Sequence, residues 1–84
     1  MLLSFRKRAW DGYIYWFATD RKMCKRIHDL IEDTQRHPFQ GKGKPEALKG
    51  NFQGFWSRRI DKEHPMVYAV TNEAIIIAQL RYHY

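Results

Sequence analysis

Apolar residues recur along this chain with two different periods, first helical and then alternating. Leu2 to Phe5 reads as a short first strand. After it, Trp10, Tyr13, Ile14 and Phe17 fall at the i, i+3, i+4, i+7 spacing of one helix face, which predicts an amphipathic helix from Lys7 to Thr19. Asp20 is a suitable N-cap for a second helix. Its stripe of Met23, Cys24, Ile27, Leu30, Ile31 and Thr34 keeps the same period and stops before His37-Pro38, because the residue ahead of a proline is pushed out of the helical region. Two amphipathic helices joined so tightly predict an antiparallel hairpin.

From Phe39 to Gly54 the periodicity lapses, and Gly41, Gly43, Pro45, Gly50 and Gly54 mark a loop. Three strand-like runs follow, at 52–61, 65–71 and 74–82, rich in Phe, Trp, Val, Tyr and Ile. Thr71-Asn72-Glu73 is short enough to close a hairpin between the last two. The order β-α-α-β-β-β predicts an α+β fold, with a helical hairpin packed on one face of a mainly antiparallel sheet and the other face left free. No repeat or low-complexity segment breaks the chain, so its 84 residues are read as one domain with a small core.

Charge adds a partner class to this architecture. Lys and Arg number 15 against 9 Asp and Glu, a formal net charge of +6, which favours a polyanionic partner, although basic domains also use such charge for solubility alone. Aromatic residues make up 15% of the chain, and positive charge interleaved with stacking surfaces is what single-stranded nucleic acid requires. The single cysteine excludes an intramolecular disulfide, the opening Met1 to Phe5 is too short for a signal-peptide core, and no apolar run is long enough to span a bilayer. The expected location is the cytoplasm.

Candidate chemistry gathers in three places. The ending Arg81-Tyr82-His83-Tyr84 supplies a group that titrates near neutral pH beside rings able to stack on a base, or else is a wetted, frayed terminus. Strand alternation places Ile75, Ile77, Gln79, Arg81 and His83 on one side and Ile76, Ala78, Leu80, Tyr82 and Tyr84 on the other. Glu46, just past Lys44-Pro45 in the basic loop, is placed to accept a proton from a ribose 2′-hydroxyl, or forms an ordinary surface ion pair. Lys49, Arg58, Arg59 and Arg81 are candidates to clamp a phosphate, and Lys44 adds a further cation. Phe55 and Trp56 read as core rather than as base platforms.

Two other motifs lead nowhere. Lys42-Gly43-Lys44 lacks the spacing and hydroxyl residue of a phosphate loop. Cys24 and His28 are one helical turn apart, but no second pair of ligands accompanies them and Cys24 lies on the apolar stripe, so no metal site is expected.

The segments Gly41-Lys42-Gly43-Lys44-Pro45-Glu46, Gly54-Phe55-Trp56-Ser57-Arg58-Arg59-Ile60, Val67-Tyr68-Ala69-Val70 and Arg81-Tyr82-His83-Tyr84, taken in this order, resemble the YoeB toxin family. Trp10-Asp11 and Pro38-Phe39 extend the likeness over essentially the whole chain. The resemblance implies a RelE-like endoribonuclease of a type II toxin–antitoxin pair, which enters the ribosomal A site and cleaves mRNA there without a metal or other cofactor. It implies Glu46 as general base, His83 as general acid, Lys49 and Arg59 on the phosphate, and Tyr84 in support. It also implies a homodimer and a YefM-like antitoxin whose C-terminal segment folds over the active face. Two positions depart from the family pattern. Pro65 stands where an arginine usually stabilises the transition state, and Gly50 replaces a larger polar residue. The first departure leaves room for a catalytically weakened, ribosome-binding translation inhibitor. A gyrase inhibitor of the ParE branch is a third reading, though it would have no use for an acid and a base.

Overall fold

A computed structural model describes residues 1–82. The elements run β1 (Leu2–Phe5), α1 (Lys7–Thr19), α2 (Arg21–Arg36), β2 (Glu46–Ala47), β3 (Trp56–Arg59), β4 (Pro65–Val70) and β5 (Ala74–Gln79). They form a five-stranded sheet of order β1-β5-β4-β3-β2, parallel between β1 and β5 and antiparallel elsewhere, with both helices on one face. This is the expected α+β architecture with one strand more than the sequence reading allowed. The added strand, β2, lies inside the segment read as loop, and at two residues it is too short to carry an alternating pattern of its own.

Asp20 organises the helical hairpin. Its backbone N–H closes α1 on the Trp16 carbonyl, and its carboxylate accepts from the N–H groups of Lys22 and Met23 at 3.1 and 3.4 Å, satisfying donors that the first turn of α2 would otherwise leave open. The predicted stripe of α2 is buried in full, from Met23 to Thr34. On α1 the outcome differs. Its buried residues are Ala9, Gly12 and Trp16, whereas Trp10, Ile14 and Phe17 are nearly half exposed. Apolar side chains cover more than one face of α1. Small residues at positions 9 and 12 let the helix sit close against β5, so the face with the less apolar bulk is the one turned inward.

The core-facing side of the sheet is set by register. Trp56 pairs with Tyr68 and Arg58 with Met66, so these four side chains point toward the helices, while Ser57, Arg59, Pro65 and Val67 point away. A register shift between Val67 and Tyr68 then changes the phase of β5, because Tyr68 pairs with Ile77 but Val67 with Gln79. The extra residue acts as a β-bulge. Leu80 therefore joins Ile75 and Ile77 in the core, and Gln79 turns to the face opposite, so strict alternation through Tyr82 does not hold. Strands β3, β4 and β5 are also shorter than the apolar runs that announced them, ending at Arg59, Val70 and Gln79.

Candidate active site

On the sheet face away from the helices, β2 and β3 bring the first catalytic candidates together. Glu46 pairs directly with Ser57, and Arg59 lies two residues further along β3, so Glu46 and Arg59 are diagonal neighbours on one face. Such neighbours lie about 7–8 Å apart, within reach of one small anionic group between long side chains. Both are exposed. They line a cleft of about 260 Å³ with Ser57, Asp61, Lys62, Glu63, His64 and Pro65. The arrangement sets a carboxylate that can take a proton beside a guanidinium that can offset negative charge.

A buried network fixes the approach to Glu46. Arg58 is completely buried on the core side. Its Nε donates to the Tyr68 hydroxyl at 3.1 Å, Nη1 donates to Asp33 Oδ2 at 2.6 Å and to the Lys42 carbonyl at 3.1 Å, and Nη2 donates to the carbonyls of His37 and Gln40. Every N–H of the guanidinium thus has an acceptor. The Tyr68 hydroxyl in turn donates to the Pro38 carbonyl at 2.7 Å, and the Lys42 N–H donates to Asp33 at 2.9 Å. The N–H of Lys42 and the Arg58 guanidinium hold the Asp33 carboxyl below its ordinary value, and burial raises the Tyr68 hydroxyl, keeping it a donor. The loop from His37 to Lys42 is therefore pinned by its own carbonyls. Gly43 completes the connection. With φ at +79° and an added Cβ only 2.9 Å from Leu30 and 3.0 Å from the Arg59 carbonyl, no larger residue fits there.

This network corrects one expectation. Arg58 is not a phosphate contact, because it is buried and fully committed to the loop. The other cations are dispersed. Lys44 and Lys49 are exposed on the two connections that flank β2 and do not line the cleft. Arg81 lies against α1, its guanidinium 3.4 Å from the centroid of the Tyr15 ring, with Nη2 donating to the Tyr82 hydroxyl at 2.6 Å. It faces a second, smaller cavity bordered by Arg8, Asp11, Gly12 and Tyr82, away from Glu46. His83 and Tyr84 lie outside the described residues. Trp56 is half-buried against the core, its ring tilted against that of Phe39 at 4.7 Å between centroids. Phe55 is half-buried with the Arg6 guanidinium 5.2 Å over its ring. Cys24 is a buried free thiol whose pKa burial raises, and no metal-ligand cluster exists among the described residues.

Sequence reasoning missed Ser57 and His64 in the cleft. Ser57 becomes visible only once β2 is recognised as its partner strand, whereas His64 had a signal, since it directly precedes the proline that starts β4.

A family model described as the YoeB-like toxin of bacterial type II toxin–antitoxin systems matches residues 5–84. Among curated proteins, a toxin named YoeB from Escherichia coli K12 is 56% identical over 84 residues, covering all of both chains. The solved YoeB/ParE toxin from Agrobacterium tumefaciens superposes with a TM-score of 0.97 at 45% identity, again over both whole chains. From Staphylococcus aureus, a YoeB dimer and a YoeB–YefM complex give TM-scores of 0.93 and 0.91 at 41% identity, covering this chain fully and 98% and 99% of theirs.

Proposed function

The chain belongs to the YoeB-like toxin family of bacterial type II toxin–antitoxin systems, and from that premise we propose that it is a ribosome-dependent endoribonuclease that cleaves mRNA in the A site. The observation that carries the reading is that Glu46 and Arg59, both exposed, are diagonal neighbours on one sheet face, at a cleft also bordered by His64. Glu46 takes the proton of the 2′-hydroxyl, and the freed 2′-oxygen forms a bond to phosphorus. Arg59, with Lys49 from the adjoining loop, offsets charge on the phosphate oxygens. The bond from phosphorus to the 5′-oxygen breaks, and His83 returns a proton to that oxygen, with Tyr84 in support. The products are a 2′,3′-cyclic phosphate and a 5′-hydroxyl.

The test is cleavage of mRNA on programmed ribosomes in EDTA, with the ribose at the scissile bond replaced by its 2′-deoxy form. Cutting of the normal mRNA and none of the deoxy substrate is expected. Persistent cutting of the deoxy substrate sinks the mechanism. A second reading, a toxin that blocks the A site with little cleavage, draws on Pro65, which is buried opposite Arg59 and brings no charge to the cleft. Primer extension on stalled ribosomes separates the two, giving new mRNA ends in one case and a block without ends in the other.

The same premise extends to partners. The S. aureus relatives form a dimer and a complex with YefM, and this chain is read as a homodimer neutralised by a YefM-like antitoxin. Trp10, Ile14 and Phe17 offer an uncovered apolar surface of the kind that association buries. No helix among the described residues is long and apolar enough to cross a membrane. The proposed site of action is the translating ribosome in the cytoplasm.

A further inference from the structure

Beyond β5 the chain does not simply run out, because the peptide of Tyr82 is held from both sides. Its N–H donates to His64 Nδ1 at 3.1 Å, and its carbonyl accepts from Gln79 Nε2 at 2.7 Å. Between these bonds Tyr82 adopts φ +64°, a left-handed conformation that a residue with a bulky side chain rarely takes unless its surroundings impose it. Both clamping groups are themselves fixed. Gln79 is buried, turned to this side by the bulge in β5. His64 is anchored by its own N–H to Asp61 Oδ1 at 2.8 Å, and its ring meets the edge of Trp16 at 4.9 Å between centroids. Two residues earlier the Trp16 indole N–H donates to the Leu80 carbonyl at 2.9 Å, so the segment is tied at residue 80 as well as at residue 82.

The geometry points to His64 and Gln79 as a pair of positioning residues that clamp the Tyr82 peptide and so set the direction in which the chain delivers His83. This deepens the endoribonuclease reading and rests on it. An acid that must protonate a leaving oxygen tolerates little displacement, since a misplacement of about 1 Å can cost roughly 10²-fold in rate. A two-sided clamp on the residue just before His83 supplies such a constraint. His64 serves in a second way, since it also lines the cleft that contains Glu46 and Arg59, tying the C-terminal segment to the wall of that cleft. The hydrogen bond requires His64 in the tautomer with its proton on Nε2, leaving Nδ1 free to accept.

The experiment compares Gln79→Met, which keeps length and removes the donor, with His64→Leu, which removes the acceptor, and His64→Asn, whose amide oxygen can occupy the place of Nδ1. Two readouts are taken on the full-length toxin: amide hydrogen exchange at Tyr82, and single-turnover cleavage on programmed ribosomes at saturating concentration. The wild-type Tyr82 amide should be protected. His64→Leu should abolish that protection, and His64→Leu and Gln79→Met should each lower the saturated rate about tenfold or more while leaving the half-saturating concentration unchanged. His64→Asn should restore protection and most of the rate. An unprotected Tyr82 amide in the wild type overturns the clamp, as do wild-type rates in both Gln79→Met and His64→Leu, or a folded His64→Asn that recovers neither readout. Wild-type protein that shows a protected Tyr82 amide but cuts no mRNA would instead count against the endoribonuclease reading.

Discussion

Single residues differ here in what they are asked to do, and the cleft separates the roles. Glu46 and His83 are assigned proton transfers, each typically worth about 10²–10⁴-fold. Glu46→Gln and His83→Ala should each lower single-turnover cleavage by that order while ribosome binding persists, and a variant that cuts at the wild-type rate removes its residue from the mechanism. Pro65 poses the opposite case. It sits across from Arg59 on the cleft face, so Pro65→Arg would set two guanidiniums side by side. They repel in the free protein and find a shared anion once phosphate arrives. The expected outcome is a cleavage rate raised by up to roughly 10²–10³-fold, the usual worth of one preorganised donor, together with a slightly lower melting temperature. An unchanged rate would mean that Arg59 already meets the charge. Arg58, one residue from Arg59, belongs to stability instead. Arg58→Met strands the Asp33 carboxylate and several carbonyls, and should cost about 3–5 kcal/mol in urea denaturation. A loss below about 1 kcal/mol would mean that the loop can satisfy itself with water.

At the scale of elements, the loop between α2 and β2 lies at the surface but is anchored to the core through buried Arg58. Asp33 at the end of α2 holds it through Lys42 and Arg58, and this makes its stability depend on pH. The Asp33 carboxyl is depressed below its ordinary value of 3.8 by folding, so its contribution is present above that value and is lost as pH falls through the folded one. Urea denaturation followed downward from neutral pH should show an acid limb below the ordinary carboxylate value, and Asp33→Asn should be less stable at neutral pH with a smaller limb. An equal limb in both proteins would place the acid sensitivity elsewhere. The same loop shows what the sequence could and could not convey. Both helices, with their bounds and the Asp20 cap, follow from period and local chemistry, because those signals sit within one or two turns of chain. Glu46 was legible as a lone carboxylate among lysines. Its neighbourhood with Arg59 was not, because that depends on the pairing of a two-residue strand. Arg58 and Arg59 look alike in sequence, yet one is buried and the other faces the cleft, since strand alternation separates them and only the position of the helices says which side is inside. The bulge that turns Gln79 out of line is likewise a property of two strands together.

For the whole molecule, the two surfaces available to partners differ in kind. The outer side of α1 is aromatic, with Trp10 stacked on Tyr13 at 5.6 Å and Phe5 edge-on to both, beside a groove of about 460 Å³ lined largely by apolar side chains. The sheet face that carries the cleft is basic at its margins, with Lys44 and Lys49 exposed on the connections flanking β2 and Arg59 within the cleft itself, and the chain as a whole holds a net charge of +6. Charge attraction between exposed groups is screened over about 8 Å at physiological ionic strength, whereas burial of apolar area is not weakened by salt in this way. An antitoxin segment laid over the cleft should therefore bind through acidic as well as apolar residues, and its association rate should fall steeply as salt rises. Self-association through α1 should be nearly indifferent to the same change. Both are measurable on one preparation, the first by stopped-flow association across a salt series and the second by sedimentation equilibrium over the same range. If the antitoxin's association rate stays flat while the dimer dissociates with salt, the assignment of the two surfaces is reversed, and the basic face, not the aromatic one, is where copies of this chain meet.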